Sequence, residues 1–517
     1  MSSADIRETT VASILRDAAE QSPDTCALVA GTVDPATRRR WTYAEVTADA
    51  EAIARVLAAR HAPGERIAVI APSLPEVYVL MFAVAMARLV LVPVNPALRA
   101  AEIEHILGRS AAVSVFTVGE LRGHDLTGAL ASLRPSLPGL RDIVPFDTWP
   151  ALLAEGRASD RELPPPAPDD VALIVFTSGT TGAPKGAMLT HRGMTNGARA
   201  SGERFDVHPD DVYVSTIPLY HGGGQAVTFM AVQARATDVL LPQFDADLLL
   251  DLLEAEHGTH TAGVPTMLHD LLANPTLAQR DLSSLRGISS GGSVVPAEMV
   301  RALDARLGAK VTIIFGQTET GGYIAQTFPA DDPDDVEHTL GTVFPHLEAR
   351  VVDPDTGADV APGASGELLV RGCGVMAGYL DDPEQTAATI EPDGWLHTGD
   401  VVTRDERGYL RIVGRCKDVI ISGGVNVYPA EIEAMLAAHD GVAGVAVIGL
   451  PDERWGETVT AVVRLAPGAT PDADAFEAFA RERIAPYKVP KRWVFVDDLP
   501  LTSSGKVQKF VLREQFA

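Results

Sequence analysis

The chain has 517 residues, of which 46% are hydrophobic, and its formal net charge at pH 7 is −26. This length predicts at least two domains, and the hydrophobic share is sufficient for a large core. The negative charge argues against a general binder of nucleic acids or anionic membranes, so a phosphate-bearing substrate would need local cations or a metal ion.

The sequence also indicates a cellular compartment. The N-terminal segment MSSADIRETT lacks both the basic and the apolar region of a secretory signal. The longest apolar run, Val77 to Ala87, is too short to span a bilayer. The cysteines, Cys26, Cys373 and Cys416, form an odd and scattered set that is typical of a reducing compartment. We therefore expect a cytoplasmic protein without a membrane span.

Strand and helix patterns alternate along the first 315 residues. Thr42 lies three residues before Glu45, which is the pattern of a capping box at a helix start. Strands are predicted at 66–71, 90–94, 112–117, 171–176, 212–216, 239–241, 260–264 and 310–315, and helices at 76–89, 101–107, 247–256, 265–272 and 296–307. Such alternation favours an α/β core with largely parallel sheets.

The pattern changes after about Gly341. Short strands separated by Asp, Pro and Gly turns are predicted at 348–352, 366–371 and 408–413, as in a small antiparallel or barrel-like section. Further helices and strands are predicted at 430–438, 442–449, 458–465, 473–483 and 493–496. The expected fold is α/β, with a large N-terminal domain (1–414) that includes the barrel-like section and a small α+β C-terminal domain (415–517).

A loop rich in Gly, Ser and Thr follows the predicted strand at 171–176, in the stretch VALIVFTSGTTGAPKGAMLTHRG (171–193). Glycine allows close approach of the backbone, the hydroxyls donate hydrogen bonds, and Lys185 adds a point charge. These groups suit a polyphosphate-binding loop. The loop does not match a Walker motif, and Pro184 disfavours a helix starting at Ala183. A flexible linker is the alternative interpretation, which the preceding core strand disfavours.

Four other segments could supply polar groups to this loop. The segment 315–319 ends a strand, where α/β sheets usually bind ligands, although it could also be an ordinary strand exit. Asp400 is predicted in a turn, either to accept from ribose hydroxyls or to form an Asx turn. Arg415 could hold a phosphate or a sugar, or form a surface ion pair. Lys506 could be a mobile cation or a solvated lysine.

Seven segments, in this order and spacing, resemble motifs of the adenylate-forming superfamily, and most closely its acyl-CoA synthetases (fatty-acid and aryl-acid CoA ligases). The segments are FTSGTTGAPKGAMLTHRG (176–193), PLYHGGG (218–224), SSGGSVVP (289–296), FGQTETGG (315–322), GWLHTGD (394–400), GRCKDVIISGGVNVYPAEIE (414–433) and LPLTSSGKVQK (499–509).

The resemblance implies a two-step ligation with ATP, Mg²⁺ and coenzyme A (CoA). A carboxylate attacks the α-phosphate of ATP to give an acyl-adenylate and pyrophosphate, and the CoA thiol then displaces AMP. Such a reaction requires positioning and charge neutralisation more than covalent catalysis by the protein. The implied partners are a small carboxylic acid and CoA, with no nucleic acid; whether the chain forms a homodimer is left open.

The resemblance also assigns residues to ATP. The β- and γ-phosphates would be held by Thr177, Ser178, Gly179, Thr180, Thr181, Gly182 and Lys185. Adenine would lie between Phe315 and the backbone of Gly291, Gly292 and Ser293, and Gly316 and Gln317 belong to the same cofactor-binding segment. Thr318 would touch the α-phosphate, Glu319 would bind magnesium, and Asp400 and Arg415 would hold the ribose.

The resemblance further implies that the C-terminal domain moves during catalysis, with the following roles for its residues. Lys506 would bridge the carboxylate and the α-phosphate during adenylation. Rotation about the hinge residue Lys417 would withdraw Lys506 and bring the loop with Gly423 and Gly424 to the acyl site. Glycines there would leave room for the pantetheine arm.

The acid pocket is expected to be lined by small residues. The resemblance implies that its walls come from Tyr220, Gly222, Gly223, Gly224, Gly263, Val264, Gly321 and Gly322. Small walls and the absence of a cation favour a bulky or long hydrophobic acid over acetate, although these glycines could equally serve turns. His221 would gate the pocket, as the resemblance implies, or be a packed histidine.

Other functions remain as alternatives. Ser289 lies in a Gly-x-Ser-x-Gly pattern, but Gly292 and Pro296 are incompatible with the immediate helix of a hydrolase nucleophile elbow. Glu254 and His257 alone do not make a metal site. A non-catalytic binding module would not need Glu319, Asp400 and Lys506 together.

Within the superfamily, three further reactions stay open. The chain could load a carrier protein, oxidise the acid as luciferases do, or be specialised for thioester formation from an adenylate. Several positions depart from the usual pattern without removing a catalytic group: Arg88 and Ala236 stand where many members have Gly, Val343 replaces a common Pro, and Val425 occupies a variable place.

Overall fold

The computed structural model describes residues 6–177, 184–422, 425–452, 454–501 and 507–517. The chain divides into two compact units. The described residues up to 348, together with 370–396, form the first unit, and residues 349–369 and the described residues from 397 onward form the second. The predicted domain boundary at residue 414 stays a prediction.

The strands, in chain order, are β1 (Cys26–Ala30), β2 (Arg40–Thr42), β3 (Arg66–Ile70), β4 (Val90–Val94), β5 (Ser114–Thr117), β6 (Glu120–Leu121), β7 (His124–Asp125), β8 (Asp142–Pro145), β9 (Val171–Thr177), β10 (Lys185–Thr190), β11 (Val212–Ser215), β12 (Thr237–Leu240), β13 (His260–Gly263), β14 (Gly287–Gly291), β15 (Lys310–Phe315), β16 (Ala325–Gln326), β17 (Thr342–Val343), β18 (Leu347–Val352), β19 (Ser365–Gly372), β20 (Gly378–Tyr379), β21 (Leu396–Arg404), β22 (Leu410–Arg415), β23 (Ile420–Ser422), β24 (Val425–Val427), β25 (Val442–Asp452), β26 (Gly456–Leu465) and β27 (Arg492–Val496).

The helices, in chain order, are α1 (Val11–Gln21), α2 (Tyr43–Arg60), α3 (Pro75–Met86), α4 (Ala100–Ser110), α5 (Leu126–Leu133), α6 (Trp149–Arg157), α7 (His191–Arg204), α8 (Gly222–Ala234), α9 (Ala246–Ala255), α10 (Pro265–Ala273), α11 (Ala297–Leu307), α12 (Pro333–His338), α13 (Pro383–Thr389), α14 (Pro429–Ala437), α15 (Ala473–Arg481) and α16 (Lys509–Phe516). Short 3₁₀ turns include Thr318–Thr320 and Cys416–Asp418.

The expected α/β fold with largely parallel sheets is confirmed. The first unit contains a nine-stranded sheet of order β17-β16-β15-β14-β13-β11-β12-β1-β2 and a seven-stranded sheet of order β20-β10-β9-β4-β3-β5-β8. The inner pairs of both sheets are parallel. Antiparallel strands occur at the ends, where β2, β10, β16, β17 and β20 pair.

Local sequence explains the helix starts and the core. Thr42 caps α2, and its side chain and that of Glu45 form the predicted capping box. The apolar run at 77–87 lies in and directly after α3, which is buried all round and packs against α2. Leucines of α9 and α10 cover strands of the nine-stranded sheet. In the part of the chain that the structure describes, no helix is both long and apolar enough to cross a membrane.

The second unit is built on a five-stranded sheet. Four of its strands have the order β24-β23-β26-β25, and the fifth strand, β27, pairs with β26. Two strands pair over their whole length, β25 and β26, and their apolar faces form the core with α14. A separate four-stranded sheet has the order β18-β19-β21-β22. Helix α16 was not predicted; it follows the segment 502–506, which lies outside the described residues.

Candidate functional site

Most of the predicted site segments follow the carboxyl ends of neighbouring parallel strands. β11, β13, β14 and β15 are adjacent in the nine-stranded sheet. The segments 220–224, 263–264, 291–293 and 315–319 come at or soon after the ends of these strands. The fold therefore brings them to one edge of one sheet, where open α/β sheets usually bind ligands.

The Gly- and Thr-rich loop joins two antiparallel strands. β9 and β10 form a hairpin whose register pairs Thr177 with Lys185. A strand, not a helix, begins directly after Pro184, which agrees with the exclusion of a Walker loop. The intervening predicted phosphate ligands lie outside the described residues: Ser178, Gly179, Thr180, Thr181 and Gly182.

Lys185 lies at the start of β10, beside two residues that the sequence did not single out. Its Nζ donates to Oε1 of Gln385 at 2.5 Å. The same Nζ lies 5.4 Å from the ring centroid of Tyr379, a cation–π distance. The ammonium group is therefore held at the edge of the seven-stranded sheet.

Glu319 lies in the 3₁₀ turn that begins at Thr318, directly after β15. Its Oε1 accepts a hydrogen bond from the Tyr379 hydroxyl at 2.8 Å, and its backbone oxygen accepts from the Met376 N–H at 2.8 Å. Burial, and then the Glu319 carboxylate, raise the pKa of Tyr379 well above its ordinary value, so the phenol donates as a neutral hydroxyl. Tyr379 thus links Lys185, in a strand of the seven-stranded sheet, with Glu319, in the turn that follows a strand of the nine-stranded sheet.

The residues predicted to enclose adenine lie on two adjacent strands. The register of β14 and β15 pairs Gly291 with Ile314, one residue before Phe315. A Cβ on Gly291 would lie 2.2 Å from the Ile314 oxygen, so only glycine fits there. Gly292 has a φ of +78°, and Gly292 and Ser293 are exposed. Phe315 is half-buried beside them.

Backbone packing explains the glycines after β15. A Cβ on Gly316 would lie 2.1 Å from the oxygen of Gly322. Gln317 caps the 3₁₀ turn, which ends at Gly321 with a φ of +63°. The glycines therefore let the chain fold back on itself in this segment.

Asp400 lies within strand β21, not in the predicted turn. The error arose because Gly399, which has a φ of +69°, gives the sequence a turn-like appearance inside a strand. Oδ1 of Asp400 pairs with Nε of Arg415 at 2.8 Å, across the β21–β22 ladder. The Asp400 side chain is 3% exposed and that of Arg415 is 41% exposed. The two residues predicted to hold ribose are thus direct neighbours.

Glu367 fixes the backbone beside Asp400. Its Oε1 accepts from the Gly399 N–H at 3.1 Å, and its Oε2 lies 3.0 Å from Nδ1 of His397. The sequence did not identify Glu367, which is 30 residues from His397.

The Cys416 thiol stays protonated at neutral pH. Burial is the main cause that raises its pKa to about 11, and the negative charges of Glu367 and Asp400 add to the effect.

The three consecutive glycines open helix α8, and His221 is its N-cap. Nδ1 of the exposed His221 accepts from the Gly223 N–H at 3.1 Å. A Cβ on Gly224 would lie 2.2 Å from the Pro218 oxygen, so this glycine has a backbone role. A Cβ on Gly222 would meet only Val175 Cγ2, at 4.0 Å, so Gly222 borders open space.

The other predicted pocket residues differ in how closely they are packed. A Cβ on Gly292 would lie 3.5 Å from Cγ1 of Val264, which caps α10. A Cβ on Gly322 would meet nothing within 4 Å, whereas one on Gly263 would press on Leu268 at 2.9 Å. Tyr220 is half-buried, and burial raises the pKa of its hydroxyl, opposed by Arg122.

The predicted hinge and pantetheine segments are only partly described. Lys417 lies in the 3₁₀ turn after β22, and the neighbouring Asp418 pairs with Arg513 at 3.0 Å. Strands β23 and β24 form a hairpin that pairs Ser422 with Val425. The predicted residues Gly423, Gly424 and Lys506 lie outside the described residues.

The structure disfavours the hydrolase and the metal-site alternatives. Ser289 lies inside β14 and is 6% exposed, so it is not on a nucleophile elbow. Glu254 pairs with Arg280 at 3.1 Å. Over the described ranges, no group of three or more His, Cys, Asp or Glu residues is arranged to hold a metal.

A magnesium ion that arrives with a polyphosphate nevertheless fits the donors at the sheet edge. Magnesium is commonly bound by one or two carboxylates together with substrate phosphate oxygens, not by an all-protein cage. Glu319, in the 3₁₀ turn that follows β15, supplies one such carboxylate. The donor set thus suits Mg²⁺ bound to a nucleotide better than a resident metal.

Sequence comparison matches the chain to two family models. Residues 15–380 match the AMP-binding enzyme family, and residues 431–506 match the AMP-binding enzyme C-terminal domain. Together these matches cover most of both compact units.

Curated relatives and a solved structure extend over almost the whole chain. The 3-(7a-methyl-1,5-dioxo-octahydro-1H-inden-4-yl)propanoyl:CoA ligase of Rhodococcus jostii (strain RHA1) is 38% identical, over 98% of this chain and 99% of its own. The mitochondrial medium-chain acyl-CoA ligase ACSF2 of Danio rerio is 36% identical, over 100% of this chain and 89% of its own. The crystal structure of ATP-bound MatB from Rhodopseudomonas palustris is 33% identical, with a TM-score of 0.88 over 98% of this chain and 99% of that chain.

Proposed function

Since this chain belongs to the AMP-binding enzyme family and is an acid–thiol ligase, we propose a substrate class for it. The proposed reaction joins a bulky or long hydrophobic carboxylic acid to CoA. A carboxylate oxygen bonds to the α-phosphorus of ATP, the bond to the β-phosphate breaks, and pyrophosphate leaves. The CoA sulfur then bonds to the acyl carbon, AMP leaves, and the thiol proton is released.

The observation that carries this proposal is the approach of opposite charges on either side of Tyr379. Lys185 lies 5.4 Å from the Tyr379 ring, and the hydroxyl of that ring bonds the Glu319 carboxylate. The Lys185 ammonium would neutralise the outer phosphates of ATP, Thr318 would contact the α-phosphate, and Glu319 would hold the magnesium ion. When bound, magnesium would supply further neutralisation of the phosphate charge, which a chain of net charge −26 needs locally.

Three features support a bulky or long acid. Gly222 and Gly322 border open space at the sheet edge. The predicted walls contain glycine, valine and tyrosine but no cation that could pair with a second carboxylate. Of the two curated relatives, one is named for a fused-ring propanoyl group and the other for medium-chain acyl groups.

The reaction is tested by measuring acid-dependent release of pyrophosphate and AMP, with and without CoA. The panel should contain acetate, malonate, octanoate, an aryl acid and a fused-ring propanoate. We expect AMP release that requires CoA and is fastest with the larger monocarboxylic acids. Release that is fastest with acetate or malonate would refute the substrate class, and AMP release that needs a carrier protein would refute CoA as acceptor.

The pocket is tested by Gly222→Val. The added side chain would enter open space beside Val175, so the KM for a bulky acid should rise about tenfold or more, with little change for acetate. The control is Gly139→Val, at an exposed site where a Cβ also meets nothing within 4 Å. An equal change of KM for all acids would place Gly222 outside the acid pocket.

We also propose a cytoplasmic location. All three cysteines are free thiols in the structure, which supports a reducing compartment. Cell fractionation tests this location, and recovery of the chain with an oxidising compartment would overturn it.

A further inference from the structure

Tyr379 lies where the two sheets of the first unit meet. It belongs to β20, which pairs antiparallel with β10 and places Tyr379 opposite Ala187. Lys185 is two residues from Ala187 along β10 and therefore lies on the same face of the sheet. The tyrosine ring is thus a diagonal neighbour of the lysine, in agreement with the 5.4 Å distance between them.

The Tyr379 hydroxyl holds one oxygen of a carboxylate in the turn that follows β15 of the nine-stranded sheet. It donates to Glu319 Oε1 at 2.8 Å, and the Met376 N–H anchors the backbone of the same residue. In the described part of the chain, no donor bonds Oε2 of Glu319. A hydrogen bond to one oxygen restricts the rotation of the carboxylate and leaves the second oxygen for a ligand.

Gln385 holds the cation in a similar way. It lies in the first turn of α13, where its own N–H donates to the N-cap Asp382 at 3.1 Å. The Tyr379 N–H donates to Oγ1 of Thr386 at 2.9 Å. The helix start and the short strand before it are therefore fixed to each other. Gln385 belongs to this fixed segment, and its Oε1 accepts a hydrogen bond from Lys185 Nζ at 2.5 Å.

On the basis of the proposed function, we propose that Tyr379 and Gln385 are positioning residues for magnesium-bound ATP. Tyr379 orients the Glu319 carboxylate so that Oε2 remains for the magnesium ion, and Gln385 keeps the Lys185 ammonium beside it. Neither residue takes part in bond making. They restrict the Glu319 and Lys185 side chains before the nucleotide binds. Binding therefore costs less conformational entropy.

The test measures ATP binding to the full chain by isothermal titration calorimetry, without acid or CoA, once with excess Mg²⁺ and once with EDTA. Tyr379→Phe removes only the hydroxyl. We expect it to weaken ATP binding about tenfold with Mg²⁺, as for loss of a hydrogen bond to a charged group, and to leave binding in EDTA unchanged. Gln385→Ala should weaken binding in both conditions, because Lys185 contacts phosphate with or without the metal.

Tyr78→Phe is the matched control. The Tyr78 hydroxyl is fully buried in the first unit, and within the described residues it has no hydrogen-bond partner. Its removal should leave ATP binding unchanged in both conditions. Melting temperatures measured without ATP show whether each variant is folded.

Two results would overturn the inference: equal ATP affinity of Tyr379→Phe and wild type with Mg²⁺, or an equal loss with Mg²⁺ and with EDTA. Failure of the wild-type chain to bind ATP in either condition would instead refute the proposed function. The two failures are therefore distinguishable in one set of titrations.

Discussion

Arg88 adopts a backbone conformation that suits glycine. Its φ is +60°, and it follows α3, where the N–H groups of Arg88 and Leu89 bond back to Ala85 and Val84. The left-handed conformation costs an L-residue with a side chain about 1–2 kcal/mol. Glycine, which many superfamily members have at this position, adopts the left-handed conformation without this cost.

We expect Arg88→Gly to stabilise the first unit by about 1 kcal/mol, after allowance for the greater freedom of glycine in the unfolded chain. The apparent melting temperature should rise by about 1–2 °C. The same change at Arg55, inside helix α2, should destabilise by about 1 kcal/mol. A lower melting temperature for Arg88→Gly would show that the contacts of the arginine side chain stabilise the fold by more than its backbone conformation costs.

At the scale of elements, the carboxylate of Asp238 connects two strands and a helix. Asp238 lies on β12 and is fully buried. Its Oδ1 accepts from the Ser215 hydroxyl of β11 at 2.6 Å, and its Oδ2 accepts from the Thr228 hydroxyl of α8 at 3.0 Å. Burial raises the pKa of Asp238 to about 6, although the two hydroxyl donors oppose the shift.

A pKa that is raised on folding makes stability fall as the pH rises. Between the unfolded value near 3.8 and the folded value of about 6, the folded state binds more protons than the unfolded state. We expect Asp238→Asn to become more stable relative to wild type by about 2.4 kcal/mol as the pH rises from about 4 to 7.5. Urea unfolding at the two pH values measures this difference.

The comparison with wild type is necessary because other buried groups act in the opposite direction. Burial lowers the pKa of His191, His260 and His346 to about 4, so their contributions to stability increase as the pH rises. These contributions cancel when the variant is compared with wild type at each pH. The exposed Asp147→Asn is the control and should show no such change. A pH-independent difference for Asp238→Asn would contradict the raised pKa.

The elements of the fold were predictable where their signals are local. The capping box at Thr42 and the apolar strand at 171–176 both appear in the structure at the expected places. Asp400 was placed in a turn because Gly399 resembles a turn residue, whereas pairing with β22 keeps both in a strand. A local pattern does not contain the partner strand, so it could not decide this case.

At the scale of the whole molecule, we propose that the separation of the two half-reactions depends on Lys506. We expect Lys506→Ala to reduce adenylation by about 100-fold or more, since a cation at the α-phosphate stabilises the charge that develops there. The variant should still form thioester from supplied acyl-adenylate and CoA, because that step does not transfer a phosphoryl group. Separate assays of pyrophosphate release and thioester formation measure the two steps.

Lys509→Ala is a suitable control for Lys506→Ala, because Lys509 lies three positions away and pairs with Glu433 at 2.7 Å. It should leave both half-reactions close to wild type. An equal loss of both steps in Lys506→Ala would reject the division of labour.

The sequence by itself determined the alternation of strands and helices, the order of the seven motifs and, through them, the class of reaction. Tertiary structure alone decided which side chains surround those motifs. Tyr379 meets Glu319 from 60 residues away, and Gln385 meets Lys185 from 200 residues away. Hydrophobic periodicity and turn residues report contacts between near neighbours in the chain. Contacts between elements far apart in the chain depend on strand order and register, which are fixed only when the whole unit packs.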